Sequence, residues 1–139
     1  MSAGARLEAG QLALAYGAAL VAILVLDGLW LGFVAKDLYK REMGSLMADT
    51  FRVAPGLIFY VLYPAALVYL TLLTPPAGWG QALGRGAVLG LAAYGAYDLT
   101  NLAIVRDWPL RISLIDWAWG GFIGAAAAAA GYAATWARA

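Results

Sequence analysis

Three aspartates, Asp27, Asp98 and Asp116, interrupt otherwise apolar stretches of this 139-residue sequence. An ionisable side chain at membrane depth costs about 2.5–3.5 kcal/mol on insertion scales, and such residues commonly belong to proton, ion or ligand pathways. A carboxyl can bind a proton or a cation, or act as a general acid or base. Desolvation and like charge both oppose the ionisation of crowded carboxyls, so we predict that at least one is protonated at neutral pH.

The flanking basic residues indicate that the three carboxyls lie at one depth. Lys36 follows the first aspartate, Arg106 follows the second and Arg111 precedes the third. At 1.5 Å per helical residue, these offsets place the carboxyls roughly 8–13 Å from one face of the membrane. The carboxyls are therefore predicted to form one layer, in the half of the protein nearer these basic residues. In an alternative arrangement, Arg106 or Arg111 reaches inward and neutralises a carboxylate.

Helical spacing places polar and aromatic side chains beside each aspartate. Tyr94 and Asn101 share a helix face with Asp98, at separations of four and three residues. A tryptophan follows each of the other two aspartates by three residues, and Tyr60 and Tyr63 fall at a similar depth in another apolar segment. Because lipid cannot satisfy these polar groups, we predict that they face inward. The candidate residues for binding a proton or ligand are Asp27, Asp98, Asp116, Asn101, Tyr94, Trp30 and Trp119.

Two interpretations of this carboxyl layer remain open. In the structural interpretation, the carboxyls only hold helices together through hydrogen bonds and helix caps. In the functional interpretation, they form a polar pocket inside the membrane.

The residue types that are missing exclude several kinds of chemistry. The sequence has no cysteine and no histidine, which excludes disulfides, thiolate metal sites, histidine-ligated haem and imidazole-based triads. Both lysines, Lys36 and Lys40, lie in a polar connection, so a Schiff base within a helix is not predicted. The formal net charge of +1 provides no basic field for nucleic acid. We predict neither a metal site nor a cofactor.

The composition indicates that the elements carrying these residues lie in a lipid bilayer. Hydrophobic residues make up 64% of the chain and charged residues 12%, against about half and about a quarter in soluble domains. A bilayer core of about 30 Å needs roughly 20 apolar residues per helix. Four segments qualify, and they predict an all-α, integral membrane four-helix bundle that forms one domain over residues 1–139. The predicted spans are about 12–34, 55–73, 83–105 and 112–136.

The connection between the first two spans, Lys36 to Arg52, is open to two interpretations. Apolar side chains on one side, such as Leu38 and Met43, predict a short amphipathic helix in the membrane interface. Gly44 and Ser45 in its middle instead fit a polar loop.

Lysine and arginine are unevenly divided between the two sides of the predicted bundle. Six lie on the side reached at the end of the first span, and three lie on the opposite side. Because cytoplasmic connections carry the excess of positive charge, we predict that both termini lie outside the cytoplasm. The first apolar segment exceeds the roughly 7–15 apolar residues of a signal peptide, so we predict no cleavage.

Glycine pairs four residues apart recur in three of the spans. This spacing lets membrane helices approach closely, so we interpret the pairs as packing seams. Homo-oligomerisation, or assembly into a larger membrane complex, through such seams remains open. The pairs are Gly28/Gly32, Gly86/Gly90 and Gly120/Gly124.

The pattern D-x-x-W-x-G-F occurs at residues 27–33 and again at residues 116–122. The two spans run in opposite directions, and inverted repeats are common in transporters, with the substrate site at the repeat interface. So short a match in an apolar chain can equally arise by chance.

The residues of the carboxyl layer also carry a resemblance to a known family. The strings LDGLWLG at residues 26–32, YDLTNL at 97–102, WP at 108–109 and D-x-x-W-G at 116–120 are together similar to the bacterial membrane proteins grouped as domain of unknown function 2177. The resemblance covers nearly the whole chain. It implies a bacterial inner-membrane protein of four spans, and it implies no particular reaction, ligand or catalytic residue.

Three classes of function are consistent with these observations. The first is binding or transport of a proton, a cation or a small amphiphile at the carboxyl layer. The second is an intramembrane enzyme that acts on lipid or isoprenoid, with one aspartate as acid and another as base, although no nucleophile or cofactor motif accompanies them. The third is a non-catalytic subunit or assembly factor, for which three intramembrane carboxyls exceed what packing needs. The first class accounts best for the carboxyl layer.

Overall fold

The computed structural model describes residues 4–139, and helices joined by short connections make up most of this range. Four helices are long and apolar enough to cross a membrane, which confirms the predicted all-α architecture. The observed ends lie within a few residues of the predicted ones. The elements are α1 Ala9–Leu29, continued by a π-helical turn Trp30–Val34, then α2 Lys36–Met43, α3 Val53–Leu72, α4 Trp79–Ile104 and α5 Leu110–Ala134, with short 3-10 helices at Gly44–Leu46 and Trp136–Arg138.

α1 begins at a capping box and ends in a change of helix type. The backbone N–H of Glu8 donates to the side-chain oxygen of Gln11 at 3.1 Å, and the unbroken apolar sequence that follows favours a membrane helix. After Leu29 the turn Trp30–Val34 is π-helical. A π-helical turn closes on one more residue than an α-helical turn, and such turns are frequent at functional sites. This one begins three residues after the buried Asp27.

Pro64 lies within α3, and the helix continues through it. A proline removes the backbone donor to the carbonyl four residues earlier, which here belongs to Tyr60. The hydroxyl of Tyr16 in α1 donates to the next carbonyl along the chain, that of Val61, at 3.0 Å. The Tyr16 hydroxyl thus joins α1 to α3 beside the proline, at a carbonyl next to the one that the proline leaves without its helical donor.

α5 lies at the centre of the bundle and packs against α1, α3 and α4. Its most extensive interface is with α4, where glycines of both helices permit direct backbone contact. A methyl group added at Gly90 would overlap the carbonyl of Gly120, and one added at Gly86 would overlap the carbonyl of Gly124. Two of the three predicted glycine pairs therefore form one seam within this chain. Around the third pair, in α1 and its π-helical turn, an added Cβ would meet none of the described residues.

The connection after α1 is helical over Lys36–Met43, as expected for the amphipathic segment and not for a plain loop. Gly44, at φ +50°, ends this helix, as a glycine commonly does. α2 lies against the π-helical turn and against α5, and Glu42 is 3.9 Å from Arg111 near the start of α5. α2 therefore covers the end of the bundle at which most of the basic residues gather.

The outer surface of the spanning helices is apolar, with many large hydrophobic side chains exposed on every long helix. Soluble monomers rarely expose continuous apolar patches of this extent. The surface therefore suits contact with lipid. The largest fully buried apolar side chains of the core are Ile23, Leu67, Leu72 and Ile123.

Candidate functional site

Two of the candidate carboxyls, Asp98 and Asp116, lie next to each other between α4 and α5. The glycine seam pairs the two helices antiparallel, so the second half of α4 meets the first half of α5 at one depth. Asp98 is almost completely buried, with 2% of its surface exposed. Its Oδ2 atom has no hydrogen-bond partner among residues 4–139. Buried polar atoms are rarely unpartnered in folded proteins, so this oxygen is available to a proton or a ligand.

Asp116 also contacts α2, through Tyr39. The Tyr39 hydroxyl donates to Oδ1 of Asp116 at 2.6 Å, and the indole N–H of Trp30 donates to the same hydroxyl at 3.4 Å. Burial, and then the hydrogen bond to the Asp116 carboxyl, raise the pKa of Tyr39 well above the usual value for tyrosine. Tyr39 therefore stays protonated at physiological pH and remains a donor to Asp116.

Asp27 has a different environment, in which both carboxyl oxygens are satisfied. Tyr60 of α3 donates its hydroxyl to Oδ2 at 2.6 Å, and Trp119 of α5 donates its indole N–H to Oδ1 at 2.9 Å. One buried carboxyl thus joins three spanning helices. This arrangement fits the structural interpretation, as far as Asp27 is concerned.

The tryptophans of the two D-x-x-W patterns stack on each other. The ring centroids of Trp30 and Trp119 are 4.4 Å apart, with 9° between the ring planes. Trp119 donates directly to Asp27 in the other copy of the pattern. Trp30 reaches Asp116 in the opposite copy through the Tyr39 hydroxyl. The two copies therefore face each other across the α1–α5 interface with reciprocal contacts.

A cavity of about 400 Å³ lies beside Asp116, between α3 and α4. Tyr97 is 52% exposed and Phe59 is 40% exposed, so the cavity is open at the outer, apolar surface of the bundle. Aromatic faces and one carboxyl form most of its wall. The lining residues are Phe59, Ala93, Tyr94, Tyr97 and Asp116.

The three carboxyls have no lysine or arginine nitrogen within 4.0 Å in the part of the chain that the structure describes. Arg111 instead lies 3.9 Å from Glu42, and Arg106 is exposed. The alternative in which one of these arginines neutralises the layer is therefore wrong. Within the described residues, Asp27 and Asp116 accept hydrogen bonds from neutral phenols and an indole, whereas Oδ2 of Asp98 has no partner.

The predicted site residues lie at four places in the structure. Two aspartates are paired, and the remaining aspartate lies with Trp119, on which Trp30 stacks. Tyr94 lines the cavity. Asn101 is half-buried, and no hydrogen bond of the described residues joins its side chain to the carboxyls. Tyr63, considered with Tyr60, is buried and its hydroxyl has no partner among residues 4–139.

Sequence reasoning missed three residues of this site, Tyr39, Phe59 and Tyr97. Tyr39 appears in the sequence as one apolar residue of an amphipathic segment, with no helical spacing that relates it to an aspartate. Tyr97 directly precedes Asp98, and adjacent residues point in different directions around a helix. For Phe59 and Tyr97, the available signal was an aromatic side chain within a span, near the depth of the layer.

A comparison with known proteins is consistent with the predicted resemblance. A family model described as "Predicted membrane protein (DUF2177)" matches residues 12–133. This range contains all the candidate residues and nearly all of the four spanning helices. No curated protein and no solved structure matches the chain significantly. The chain belongs to the DUF2177 family of predicted membrane proteins.

Proposed function

We propose that this protein binds a proton at the Asp98–Asp116 pair inside the membrane, as a step in binding or transporting a cation or a small amphiphile. The observation that carries the proposal is the Oδ2 atom of Asp98. It is buried, has no donor among the described residues, and belongs to a carboxyl that lies beside a second carboxyl.

The proposal follows from the electrostatics of the pair. Two adjacent carboxylates repel each other, and removal from water disfavours both charges. Neither has a basic partner within the described chain. One proton removes one of the charges and also converts one carboxyl into a hydrogen-bond donor for the other. Tyr39 supplies only a single donor, to Oδ1 of Asp116, so the pair still needs the proton.

The contrast with Asp27 supports a functional role for the pair. A carboxyl that only joins helices should have both oxygens satisfied by protein donors, as Asp27 has. Asp98 lacks that property. We therefore assign the structural interpretation to Asp27 and the functional one to Asp98 and Asp116.

Replacing Asp98 by asparagine tests this assignment. We expect the D98N protein to keep its thermal stability in detergent, because the amide can donate to Asp116 in place of the protonated carboxyl. We also expect it to lose the infrared carbonyl band of a protonated carboxyl, which deuterium exchange identifies in the native protein. Asp37→Asn, at an exposed position on α2, is the matched control and should leave the band unchanged. A band of undiminished intensity in the D98N protein would refute the proposal.

We further propose that the protein lies in a bacterial inner membrane with both termini in the periplasm. The support is the excess of lysine and arginine on α2 and on the connection between α4 and α5. The proton-binding pair would then lie in the cytoplasmic half of the membrane.

Reporter fusions test this orientation. Alkaline phosphatase fused after Ala139 should be active, and a fluorescent protein that matures only in the cytoplasm should be dark at the same position. Fusions after Asp49, in the connection between α2 and α3, should show the opposite result. A fluorescent C-terminal fusion would show that the C-terminus lies in the cytoplasm and that the proposed orientation is wrong.

A further inference from the structure

The cavity beside the proton-binding pair indicates the class of ligand that exchanges with the proton. We infer that an amphiphile with a cationic ammonium head group enters the cavity between α3 and α4 from the bilayer, binds at Asp116, and displaces the proton of the Asp98–Asp116 pair. This inference rests on the proposed function and identifies its ligand.

The wall of the cavity has the chemistry that recognises an organic cation. Three aromatic side chains, Phe59, Tyr94 and Tyr97, line the cavity together with one carboxyl, that of Asp116. Aromatic faces attract ammonium groups, and the attraction increases when water is excluded. Among the described residues that line the cavity, none is a lysine or an arginine. An anionic head group would face a carboxyl without a basic residue to balance it.

The position of the cavity suits a ligand that arrives from lipid. Its volume of about 400 Å³ falls within the usual range for small-molecule sites, about 300–1,000 Å³. The opening lies at the half-exposed rings of Phe59 and Tyr97, on the apolar outer surface. A head group could therefore reach the carboxyl while its hydrocarbon tail remains in an apolar environment.

A second groove between the same two helices offers a place for that tail. It has a volume of about 490 Å³ and is lined mainly by apolar residues, including Leu70, Val88, Leu89 and Ala92. Arg85 lies at its far end, where its guanidinium donates to the backbone carbonyls of Thr71 and Thr74. From Ala93 at the cavity to Arg85 the helix rises roughly 12 Å, which suits a medium-length alkyl tail.

The exchange conserves charge at the site. The bound ammonium contributes one positive charge, and the shared proton leaves for solvent, so the cavity and the pair keep the same total charge. The proton starts on the carboxyl pair because the other titratable groups that face it are phenols, which keep their own protons at neutral pH. Those groups are Tyr39 of α2 and Tyr94 and Tyr97 of α4; Asp27 instead accepts from Tyr60 and Trp119.

The test uses the full chain in dodecyl maltoside, with dodecyltrimethylammonium as the probe. We expect saturable binding, measured by tryptophan fluorescence, with release of about one proton per bound probe into weakly buffered solution.

Three variants separate the contributions to this binding. Asp116→Asn should abolish the proton release and weaken binding. Tyr97→Leu keeps an apolar side chain but removes the aromatic face, and should weaken binding about tenfold. Tyr69→Leu, at a 65% exposed position on α3 outside the cavity, should bind like the native protein.

Three results would overturn the inference: no saturable binding, equal binding by the D116N protein, or equal proton release by the neutral probe dodecanol. The infrared experiment on D98N, which contains no amphiphile, tests the proposed function separately. If the D98N protein loses the infrared band but the native protein does not bind the probe, the ligand assignment is refuted and proton binding stands. An infrared band that stays undiminished in the D98N protein would refute both the proton binding and the ligand assignment.

Discussion

Replacing Gly90 by alanine is expected to destabilise the protein by about 3 kcal/mol, at the upper end of the usual cost of overpacking. The added methyl would overlap the Gly120 carbonyl and crowd the Cα atom of Gly124. Both obstacles are backbone atoms of α5, which cannot move aside as a flexible side chain can. α4 and α5 would have to separate, and the Asp98–Asp116 pair would separate with them. Thermal unfolding in detergent, followed by circular dichroism, measures the effect.

Gly84→Ala is the matched control for this experiment. Gly84 lies in the same helix, and an added Cβ there meets nothing within 4 Å among the described residues. Both changes alter intrinsic helix propensity by the same amount, so the difference between them isolates the steric overlap. If the two variants unfold at the same temperature, the close approach of α4 and α5 is refuted.

Replacing Asp27 by leucine is expected to produce the second large loss of stability. The change leaves the hydroxyl of Tyr60 and the indole N–H of Trp119 without their acceptor. Each unsatisfied buried donor costs about 1–3 kcal/mol. The stability of the Asp27→Asn protein should lie between that of the native protein and that of the Asp27→Leu protein, because an amide provides one acceptor oxygen where two donors converge. Thermal unfolding of the three proteins in detergent measures the order of their stabilities.

A double-mutant cycle checks that the hydrogen bond to Tyr60 is part of this effect. Tyr60→Phe should destabilise the native protein but should have little further effect in the D27L background, because the bond is already lost there. Additive effects of the two changes would show that the two side chains do not interact. The D27L protein unfolding at the native temperature would contradict the assignment of Asp27 as a structural residue.

The spans, and the meeting of Asp98 with Asp116, could be predicted from sequence because both follow from local properties. Apolar stretches long enough for a bilayer define the helices, and the rise per residue converts sequence offsets into depth. Asp98 and Asp116 are neighbours in the structure for this reason. Glycine spacing likewise indicated the α4–α5 seam, since only a residue without a side chain permits backbone contact.

The division of roles among the aspartates could not be predicted, because it depends on which helices are neighbours. The sequence gives depth but not the rotation of each helix about its own axis. Asn101 shares a helix face with Asp98 by spacing, and yet its amide forms no hydrogen bond with the carboxyls within residues 4–139. Tyr39 contacts Asp116 only because α2 folds back beneath α5. The cavity between α3 and α4 depends on which side chains of three different helices meet there, which no local pattern indicates.

The central position of α5 has a consequence for the order of biosynthesis. α5 is translated after α1, α3 and α4, although all three pack on it. Trp119 follows Asp27 by 92 residues, which a ribosome adds in about 5–18 s. Of the two donors that Asp27 has in the folded protein, only the Tyr60 hydroxyl, 33 residues after it, is translated within that interval. A chain that ends before α5 therefore lacks one of the two hydrogen bonds that satisfy this carboxyl.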